Sequence, residues 1–439
     1  MARWGWLSAA AALLIALFVG SGCEPYQEPL PKRDRLNFPV GLALHPSGDY
    51  LYVVNSNFDS RYSPEYGGTV AVIDTESLEI RSEHTPYIPS YGGHIRLNED
   101  ATRAYVTARR GDSLVALDVS GSEDGGIGSA LTCPGTNGEP SSDPDNCIIR
   151  RVPDNEDGAR VPADPFGLEV TRITRTNEDG ERVPIDLINL SHLSGDAVTA
   201  IAIPDGEIAG ASLISAPLLD GSNQIRRRPG TLEMYAAGRR SNRVTVYLPY
   251  VNASGEVEAL IVREDILLNN VTANVDARGI AFDEEGERLY VATRRPDALH
   301  VFQLRPEDPE TGQGTRHELE RVIPVGDQPS DVVVHKTPEG KELIFVPCYD
   351  ERSIHVLDPE TGVVLREIEL DESPYAIAMD SAPSRCVEGT TCRAYVTLFA
   401  DAAEVSTSCD DSGEGCGSVA IIELDPKSPR YLQVTTKIR

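Results

Sequence analysis

An aromatic residue stands at the second position of a short β-rich run, and this run recurs along the chain. An alternating apolar strand follows the copies, as in residues 69–74, 113–118 and 353–358. Such a unit buries its apolar side chains only against neighbouring copies, so the repeat restricts the chain to stacked or ring-closed architectures. The six clear copies of the run are residues 51–55, 104–107, 234–237, 289–292, 344–347 and 394–397.

Further strands flank each copy. A Pro or Gly followed by a small apolar strand precedes most copies, as in residues 39–44 and 279–282, and a polar turn joins the two strands. A fourth strand, such as residues 364–370, completes a four-stranded antiparallel blade. A seventh, degenerate unit consists of residues 166–170, 185–189 and 197–203.

Seven such units close into a ring that leaves no long exposed sheet edge. An open solenoid is the alternative, but it requires polar capping repeats, and the sequence offers none that is evident. The pattern resembles the YVTN family of β-propellers over about residues 38–439. The resemblance implies an all-β fold, a seven-bladed β-propeller of four-stranded antiparallel blades.

The first 22 residues have the pattern of a bacterial lipoprotein signal peptide. Arg3 supplies the positive charge, and residues 7–19 form an apolar run too short to span a bilayer comfortably. The signal segment ends in Ser21-Gly22-Cys23, which resembles a lipobox, so Cys23 is expected to carry the lipid anchor. An ordinary secretory peptide ending near Gly22 is the alternative. Glu24 resembles the residue of lipoproteins forwarded to the outer membrane, which predicts a lipid-anchored protein of the cell envelope.

These patterns divide the chain into three parts. We expect a signal peptide at 1–22, a polar tether at 23–37 and the propeller at 38–439. The stretch 120–164 is rich in Gly, Pro, Asp and Asn, which predicts a loop insertion between the second and third blades.

The cysteines agree with export. Apart from Cys23, six of the other seven fall into close pairs, which predicts three local disulfides and leaves Cys348 over. None of the pairs has metal-site spacing or an adjacent His, so we predict no metal and no cofactor. The predicted disulfides are Cys133–Cys147, Cys386–Cys392 and Cys409–Cys416.

The strongest candidate site is a set of arginines in an acidic chain. The sequence has 40 Lys and Arg against 69 Asp and Glu, a formal charge of −29, which argues against nucleic acid as a partner. The loops between second and third strands, and the crossings between blades, nevertheless share arginines that should meet at one channel mouth. These residues are Arg109, Arg110, Arg239, Arg240, Arg294, Arg295 and Arg352 in loops, Arg278 and Arg228 in crossings, with His192 near the same point.

Guanidinium groups in a concave ring suit the capture of carboxylate, sulfate or phosphate. The alternative is that each Arg pairs with Asp112, Asp297, Asp350 or Glu351 and ties blades together.

Three functions remain open. The leading interpretation is a lipid-anchored binding or scaffold module for an anionic glycan or a protein partner, because the sequence contains no acid–base constellation. The blade pattern also resembles lactonase-like hydrolases, although no hydrolytic residue set can be mapped onto this chain. A lactonase-like hydrolase is therefore the second possible function, and an accessory subunit of a periplasmic redox complex is the third. Whether the protein is an enzyme is uncertain.

Overall fold

The computed structural model describes residues 29–439 except 59, 136–139, 142, 153–158, 177–179, 269–273, 307–314, 381–385, 387–391 and 400–415. Within these ranges the chain is almost entirely β, arranged as seven four-stranded antiparallel sheets in a ring. The predicted seven-bladed β-propeller is therefore confirmed. No described helix is long and apolar enough to cross a membrane.

Each blade runs from its inner strand, A, through B and C to its outer strand, D. Blade 1 contains β1 (Pro39–Leu44), β2 (Tyr50–Asn55), β3 (Gly68–Asp74) and β4 (Tyr87–Ile88). Blade 2 contains β5 (Gly92–Leu97), β6 (Arg103–Ala108), β7 (Ser113–Gly121) and β8 (Ile127–Thr132). The chain between blades 2 and 3 adds the short strands β9 (Ile148–Ile149), β10 (Arg151–Val152) and β11 (Ala159–Arg160).

The remaining blades follow the same order. Blade 3 contains β12 (Pro165–Thr176), β13 (Arg182–His192), β14 (Ala197–Pro204) and β15 (Ser212–Pro217). Blade 4 contains β16 (Ser222–Arg227), β17 (Met234–Gly238), β18 (Arg243–Val251) and β19 (Val257–Leu267). Blade 5 contains β20 (Ala277–Phe282), β21 (Arg288–Arg294), β22 (Asp297–Pro306) and β23 (Thr315–Pro324).

Two blades complete the ring. Blade 6 contains β24 (Val333–Lys336), β25 (Glu342–Cys348), β26 (Ser353–Leu357) and β27 (Val364–Glu369). Blade 7 contains β28 (Ser373–Met379), β29 (Arg393–Phe399), β30 (Ser418–Glu423) and β31 (Val434–Ile438). The short 3₁₀ turns are Ser82–His84, Pro144–Cys147 and Ile208–Gly210.

The repeated aromatic residue joins one blade to the next. Tyr52 and Tyr105 are fully buried in their B strands. The Tyr52 hydroxyl donates to the carbonyl of Gly128 in blade 2 at 2.7 Å, and the Tyr105 hydroxyl donates to Asp186 in blade 3 at 2.8 Å. The aromatic ring fills the space between blades, which explains why this position repeats, and at Tyr52 and Tyr105 the hydroxyl also finds a partner in the next blade.

The ring closes through the segment before the first strand. The backbone N–H of Phe38 donates to the carbonyl of Cys416, and the N–H of Cys416 donates to the carbonyl of Leu36. Leu36 is completely buried, and the Asn37 N–H donates to the Asn55 side chain at 3.1 Å. The end of the segment expected as a tether therefore belongs to the propeller, because its backbone groups and one apolar side chain are needed at the seam.

The connection between blades 2 and 3 also differs from the expectation. Its predicted start at 120 lies inside the blade, because β7 extends to Gly121 and residues 127–132 form the outer strand β8. The inserted segment begins after Thr132, since the Gly-rich turn before β8 is a strand connection and not the start of a loop.

Two of the predicted disulfides are confirmed. Cys133 and Cys147 are bonded with their Cα atoms 4.8 Å apart, and Cys386 and Cys392 with theirs 4.6 Å apart. Cys409 lies outside the described residues, so its pairing with Cys416 stays a prediction.

Candidate functional site

The mouth of the central channel forms a pocket with a volume of about 340 Å³. The loops between B and C strands and the crossings from D to the next A strand emerge on this face, and the inner A strands begin there. We call this pocket the cup. Its lining residues are Val40, Ser56, Phe58, Tyr91, Gly92, Arg109, Phe166, Leu193, Arg239, Arg278, Arg294, Tyr349, Tyr375 and Phe399.

Four arginines from blades 2, 4 and 5 form one wall of the cup. Arg109 directly follows β6, Arg239 directly follows β17, and Arg294 is the last residue of β21, so all three occupy the end of a B strand. The equivalent position in successive blades points to the same mouth because the blades are related by rotation around the channel. Arg278 joins them from the second position of the inner strand β20.

Two carboxylates accompany these four guanidinium groups. Arg109 pairs with Asp164, and Asp276 lies between Arg278, at 2.8 Å, and Arg239, at 3.9 Å. Arg294 has no carboxylate within 4 Å among the described residues, and its Nε donates to the Pro329 carbonyl at 3.0 Å.

The alternative interpretation was that the arginines pair with Asp112, Asp297, Asp350 or Glu351 and tie blades together. Among the described residues, none of the four cup arginines makes an ion pair with any of these. Their carboxylate partners are Asp164 and Asp276 instead. The Asp112 carboxylate accepts the Asp164 backbone N–H, and the Asp297 carboxylate accepts the Gln328 backbone N–H. The cup consequently holds more positive than negative charge.

The pKa shifts at the cup reflect this crowding of positive charge. Burial, together with the neighbouring Arg278, lowers the pKa of Arg294 to about 10, and the same two causes lower the pKa of Arg239. Burial alone would raise the pKa of Asp164, but hydrogen bonds from Arg109 and Ser194 hold it below its usual value. An anion placed among these groups would relieve the repulsion between the guanidinium charges.

Aromatic side chains from blades 1, 6 and 7 form the opposite wall. The Phe58 and Phe399 ring centroids are 5.2 Å apart, and those of Tyr349 and Tyr375 are 6.4 Å apart. Tyr375 lies between the two walls, because all four arginines act on its hydroxyl electrostatically. Burial nevertheless raises the pKa of Tyr375, so its hydroxyl is protonated at neutral pH. This hydroxyl makes no hydrogen bond to any described residue and is available to a ligand.

The neighbouring arginines in the same loops do not line the cup. Arg110, Arg240 and Arg295 are exposed, whereas the residue before each is partly buried in the pocket wall. Arg110 lines a separate surface depression with Glu65 and Asp145, and Arg240 lies 3.7 Å from Asp220. In each pair the first residue stands at the end of the B strand and faces the pocket, whereas the second lies in the turn between the B and C strands and faces solvent.

Two other predicted residues, Arg352 and His192, also lie elsewhere. Arg352 donates to the Asp371 carbonyl at 3.3 Å and is not among the lining residues. His192 is completely buried, with its ring nitrogens 2.9 Å from the Ala163 carbonyl and the Thr199 hydroxyl.

The placement of Arg228 in a D-to-A crossing is wrong. The inner strand β16 spans Ser222–Arg227, so Arg228 falls in the A–B turn on the opposite face. There it donates to the Gly286 carbonyl at 2.8 Å.

A second layer of polar side chains lies on the inner strands below the cup. Arg96 on β5 lies 3.8 Å from Glu169 on β12, and burial together with Arg96 lowers the pKa of Arg226 to about 10. Burial, followed by Arg96 and Arg226, also holds the pKa of His94 well below its usual value. His94 packs against Phe166 of the cup, with ring centroids 5.0 Å apart. A neutral imidazole therefore lies directly beneath the lining.

The aromatic wall was missed in the sequence analysis. Tyr349 follows a B strand as Arg109 and Arg239 do, and Tyr375 and Phe166 lie near the starts of A strands. The comparison of loops considered only arginines, and Tyr375 and Phe166 lie on A strands outside those loops. A search for any large side chain at the ends of B strands and the starts of A strands would have found them.

Solved structures provide the comparison with known proteins. The periplasmic gluconolactonase of Pseudomonas aeruginosa superposes with a TM-score of 0.51 at 17% identity, over 77% of this chain and 87% of its own. A functionally unknown protein from Desulfotomaculum acetoxidans superposes with a TM-score of 0.51 at 11% identity, over 84% of this chain and 92% of its own. The Swd1 β-propeller domain of Myceliophteria thermophila superposes with a TM-score of 0.51 at 12% identity, over 83% of this chain and 94% of its own.

The chain shares the propeller fold with these proteins. Identities this low support the fold alone. No protein-family model and no curated protein sequence matches the chain.

Proposed function

We propose that the protein is a binding module whose cup holds an anionic ligand with a sugar-like ring, such as the acidic end residue of a glycan. The observation that carries this proposal is the two-sided lining, with arginines on one wall and aromatic rings on the other. Guanidinium groups bind carboxylates and phosphates through paired hydrogen bonds, and aromatic faces accept the apolar face of a ring. A ligand with both features would satisfy both walls at once.

The size and charge of the molecule favour a small ligand or a chain end. A pocket of about 340 Å³ lies near the lower limit for small-molecule sites. The chain has a formal charge of −29, which repels an extended polyanion, while the cup itself concentrates positive charge. A single acidic group can enter the cup without bringing many negative charges near the acidic surface.

Binding is favoured over catalysis by the composition of the lining. No Asp, Glu or His is among the described residues that line the cup. General acid–base chemistry needs a titratable group within hydrogen-bonding reach of the reacting atoms.

We further propose that the module is a lipid-anchored member of the cell envelope with the YVTN-type repeat. The lipid anchor is supported by the signal-peptide pattern that ends at Cys23. The resemblance to the YVTN family is supported by the aromatic residue repeated in the B strands. Residues 1–28 lie outside the described ranges. Mass spectrometry of the membrane-extracted protein should find two acyl chains and an acylated amine on Cys23, whereas an unmodified N-terminus would contradict the anchor.

Calorimetric titration with glucuronate, galacturonate oligomers and glucose 6-phosphate, and with neutral glucose as the reference, tests the cup. The test variant combines Arg109→Ala, Arg239→Ala and Arg294→Ala. The matched control combines Arg110→Ala, Arg240→Ala and Arg295→Ala, which removes the same charge from the same loops but outside the lining.

We expect the wild type and the control to bind an acidic probe with an affinity that falls as salt rises, and the test variant to lose binding. Equal losses in the two triple variants would show that only the long-range field matters and would overturn the cup as a site. Absence of binding to every acidic probe would also contradict the proposal.

Lactone hydrolysis is the second candidate function. It is favoured by one observation, the neutral His94 that packs under Phe166, and by the shared fold with a periplasmic gluconolactonase. A neutral imidazole can act as a general base toward water, but His94 lies beneath the lining, so this function requires a water to reach it from the cup. Release of acid from gluconolactone that His94→Gln abolishes would favour this function, and an unchanged background rate would exclude it for that substrate.

A further inference from the structure

Cys348, Glu351 and His355 bring one thiol, one carboxylate and one imidazole together at the edge of blade 6. Their ligand atoms all lie within 4.8 Å of one another. The thiol is completely buried, while Glu351 is exposed, so the cluster opens toward solvent on one side. The sequence analysis predicted no metal site because the close cysteine pairs lack suitable spacing, and it considered Cys348 only as an unpaired residue.

The β25–β26 hairpin produces this arrangement. Cys348 is opposite Ser353, and Val346 is opposite His355, in the antiparallel register. Residues two apart on a strand and their cross-strand partners share one face, so the Cys348 and His355 side chains are diagonal neighbours. Glu351 lies in the connecting turn and reaches back over them. The spacing Cys-x₂-Glu-x₃-His thus becomes a three-sided cluster only when the hairpin forms.

The cluster has unused ligand capacity. Cys348 forms no disulfide with any described cysteine. His355 Nε2 lies 3.0 Å from Glu351 Oε2, yet neither ring nitrogen makes a hydrogen bond to a described residue. The Ser353 hydroxyl donates to Glu351 Oε2 at 2.9 Å and orients the carboxylate.

The chain that crosses from blade 5 leaves room for the cluster. A Cβ atom at Gly326 would lie 1.5 Å from Glu351 Oε2 and 3.0 Å from Cys348 Sγ. Only a glycine fits at this position while Glu351 and Cys348 keep their places. The crossing therefore covers the cluster closely without blocking it.

We propose that Cys348, Glu351 and His355 bind one Zn²⁺ ion, with the fourth tetrahedral position open to water or a ligand. Thiolate sulfur, imidazole nitrogen and carboxylate oxygen are the donors that zinc takes in proteins, and three protein ligands with one open position are typical of accessible zinc sites. Binding replaces the thiol proton, which leaves to solvent, by a bond from the thiolate to the metal.

The bound ion would stiffen one wall of the propeller mouth. Cys348 pairs with Pro329, whose carbonyl accepts the Arg294 guanidinium, and the next residue, Tyr349, lines the cup. The zinc site is nevertheless independent of the proposed ligand of the cup, because none of the three metal ligands lines it.

The experiment uses the purified full chain, first freed of metal with a chelator and then titrated with Zn²⁺ or Co²⁺ against a chromophoric competitor. We expect one metal per chain and, with Co²⁺, a thiolate-to-cobalt charge-transfer band. Cys348→Ser should abolish the band, and Cys348→Ser and Glu351→Gln should each weaken Zn²⁺ binding, Cys348→Ser by more than about 100-fold.

His335→Gln is the matched control. His335 is the other histidine on the described strands of blade 6; it is buried, and both of its ring nitrogens lack hydrogen-bond partners among the described residues. This variant should keep wild-type zinc affinity.

Three outcomes would overturn the proposal: no stoichiometric metal, a wild-type Co²⁺ complex without a thiolate band, or an affinity that neither Cys348→Ser nor Glu351→Gln changes. If Cys348→Ser fails to fold, Glu351→Gln decides, because its side chain is exposed and its replacement leaves the core intact.

Discussion

The Tyr105 hydroxyl donates a 2.8 Å hydrogen bond to Asp186 Oδ2 across the boundary between blades 2 and 3. Asp186 is 2% exposed and also accepts from Asn98 at 3.1 Å and from the Arg172 Nε at 2.9 Å. A buried carboxylate needs several donors, and the repeated tyrosine of the neighbouring blade supplies one of them. The repeat thus contributes polar contacts between blades as well as apolar packing.

Replacing this hydroxyl should lower the stability of the ring. We expect Tyr105→Phe to reduce the free energy of unfolding by about 1.5–3 kcal/mol, because the hydrogen bond is made to a charged, buried acceptor. Tyr290→Phe is the control, since the buried Tyr290 hydroxyl has no hydrogen-bond partner among the described residues. Urea unfolding of the two variants measures the difference, and equal losses would contradict the role of Asp186.

The seam of the ring should depend on Leu36. This side chain is completely buried beside the backbone pairing that joins the N-terminal segment to Cys416. Leu36→Ala should lower the free energy of unfolding by about 2–5 kcal/mol through lost burial and a cavity. Leu30→Ala, at a side chain that is 48% exposed, should change it by less than about 0.5 kcal/mol. Similar unfolding curves for the two variants would mean that the segment is a mere tether.

Asp276→Asn should strengthen anion binding in the cup. Asp276 neutralises part of the charge on Arg239 and Arg278, so its removal adds one net positive charge. Asn keeps the hydrogen-bonding oxygen and tolerates the positive φ of 50° at this position. We expect an affinity for the acidic probe that is roughly threefold to tenfold higher, with a steeper salt dependence. Calorimetry at two salt concentrations measures the affinity of this variant and of the wild type. Weaker binding by the variant would show that Asp276 itself contacts the ligand.

Stability should fall as the pH drops from about 6.5 toward 4. Burial lowers the pKa of His300 and of His335 to about 4 from the usual 6.5. Between these values the unfolded chain takes up protons that the folded chain does not, so each residue removes up to about 1.4 kcal/mol per pH unit. Above pH 6.5 both histidines are neutral in the folded and in the unfolded chain, so no stability is lost through them.

The variant carrying His300→Gln and His335→Gln isolates this effect. Its unfolding free energy should fall less steeply with acidification than that of the wild type, by up to about 3 kcal/mol per pH unit between pH 6 and 4.5. Carboxylates whose pKa is held low, such as Asp164, lose their stabilisation only at lower pH. Parallel slopes for variant and wild type in chemical denaturation at a series of pH values would show that these histidines are protonated in the folded chain.

The sequence predicted correctly that three arginines meet at the cup, but it placed Arg228 on the wrong face. Arg109, Arg239 and Arg294 come together at the cup because each stands at the end of a B strand, a position that the aromatic repeat marks in the sequence. Arg228 was misplaced because the start of β16 depends on how far the crossing from blade 3 extends, and no local pattern records that length.

The sequence by itself determined the propeller, since a repeated unit buries its apolar faces only against neighbouring copies and the sequence shows no evident polar capping repeats of the kind an open solenoid requires. It also predicted the disulfides Cys133–Cys147 and Cys386–Cys392, because the cysteines of each pair are separated by only 14 and 6 positions in the sequence. Only the tertiary structure decided which side chain of each Arg pair faces the channel, and which aromatic residues stand opposite. Those directions follow from the twist and register of neighbouring strands, which depend on packing between blades that are far apart in the sequence.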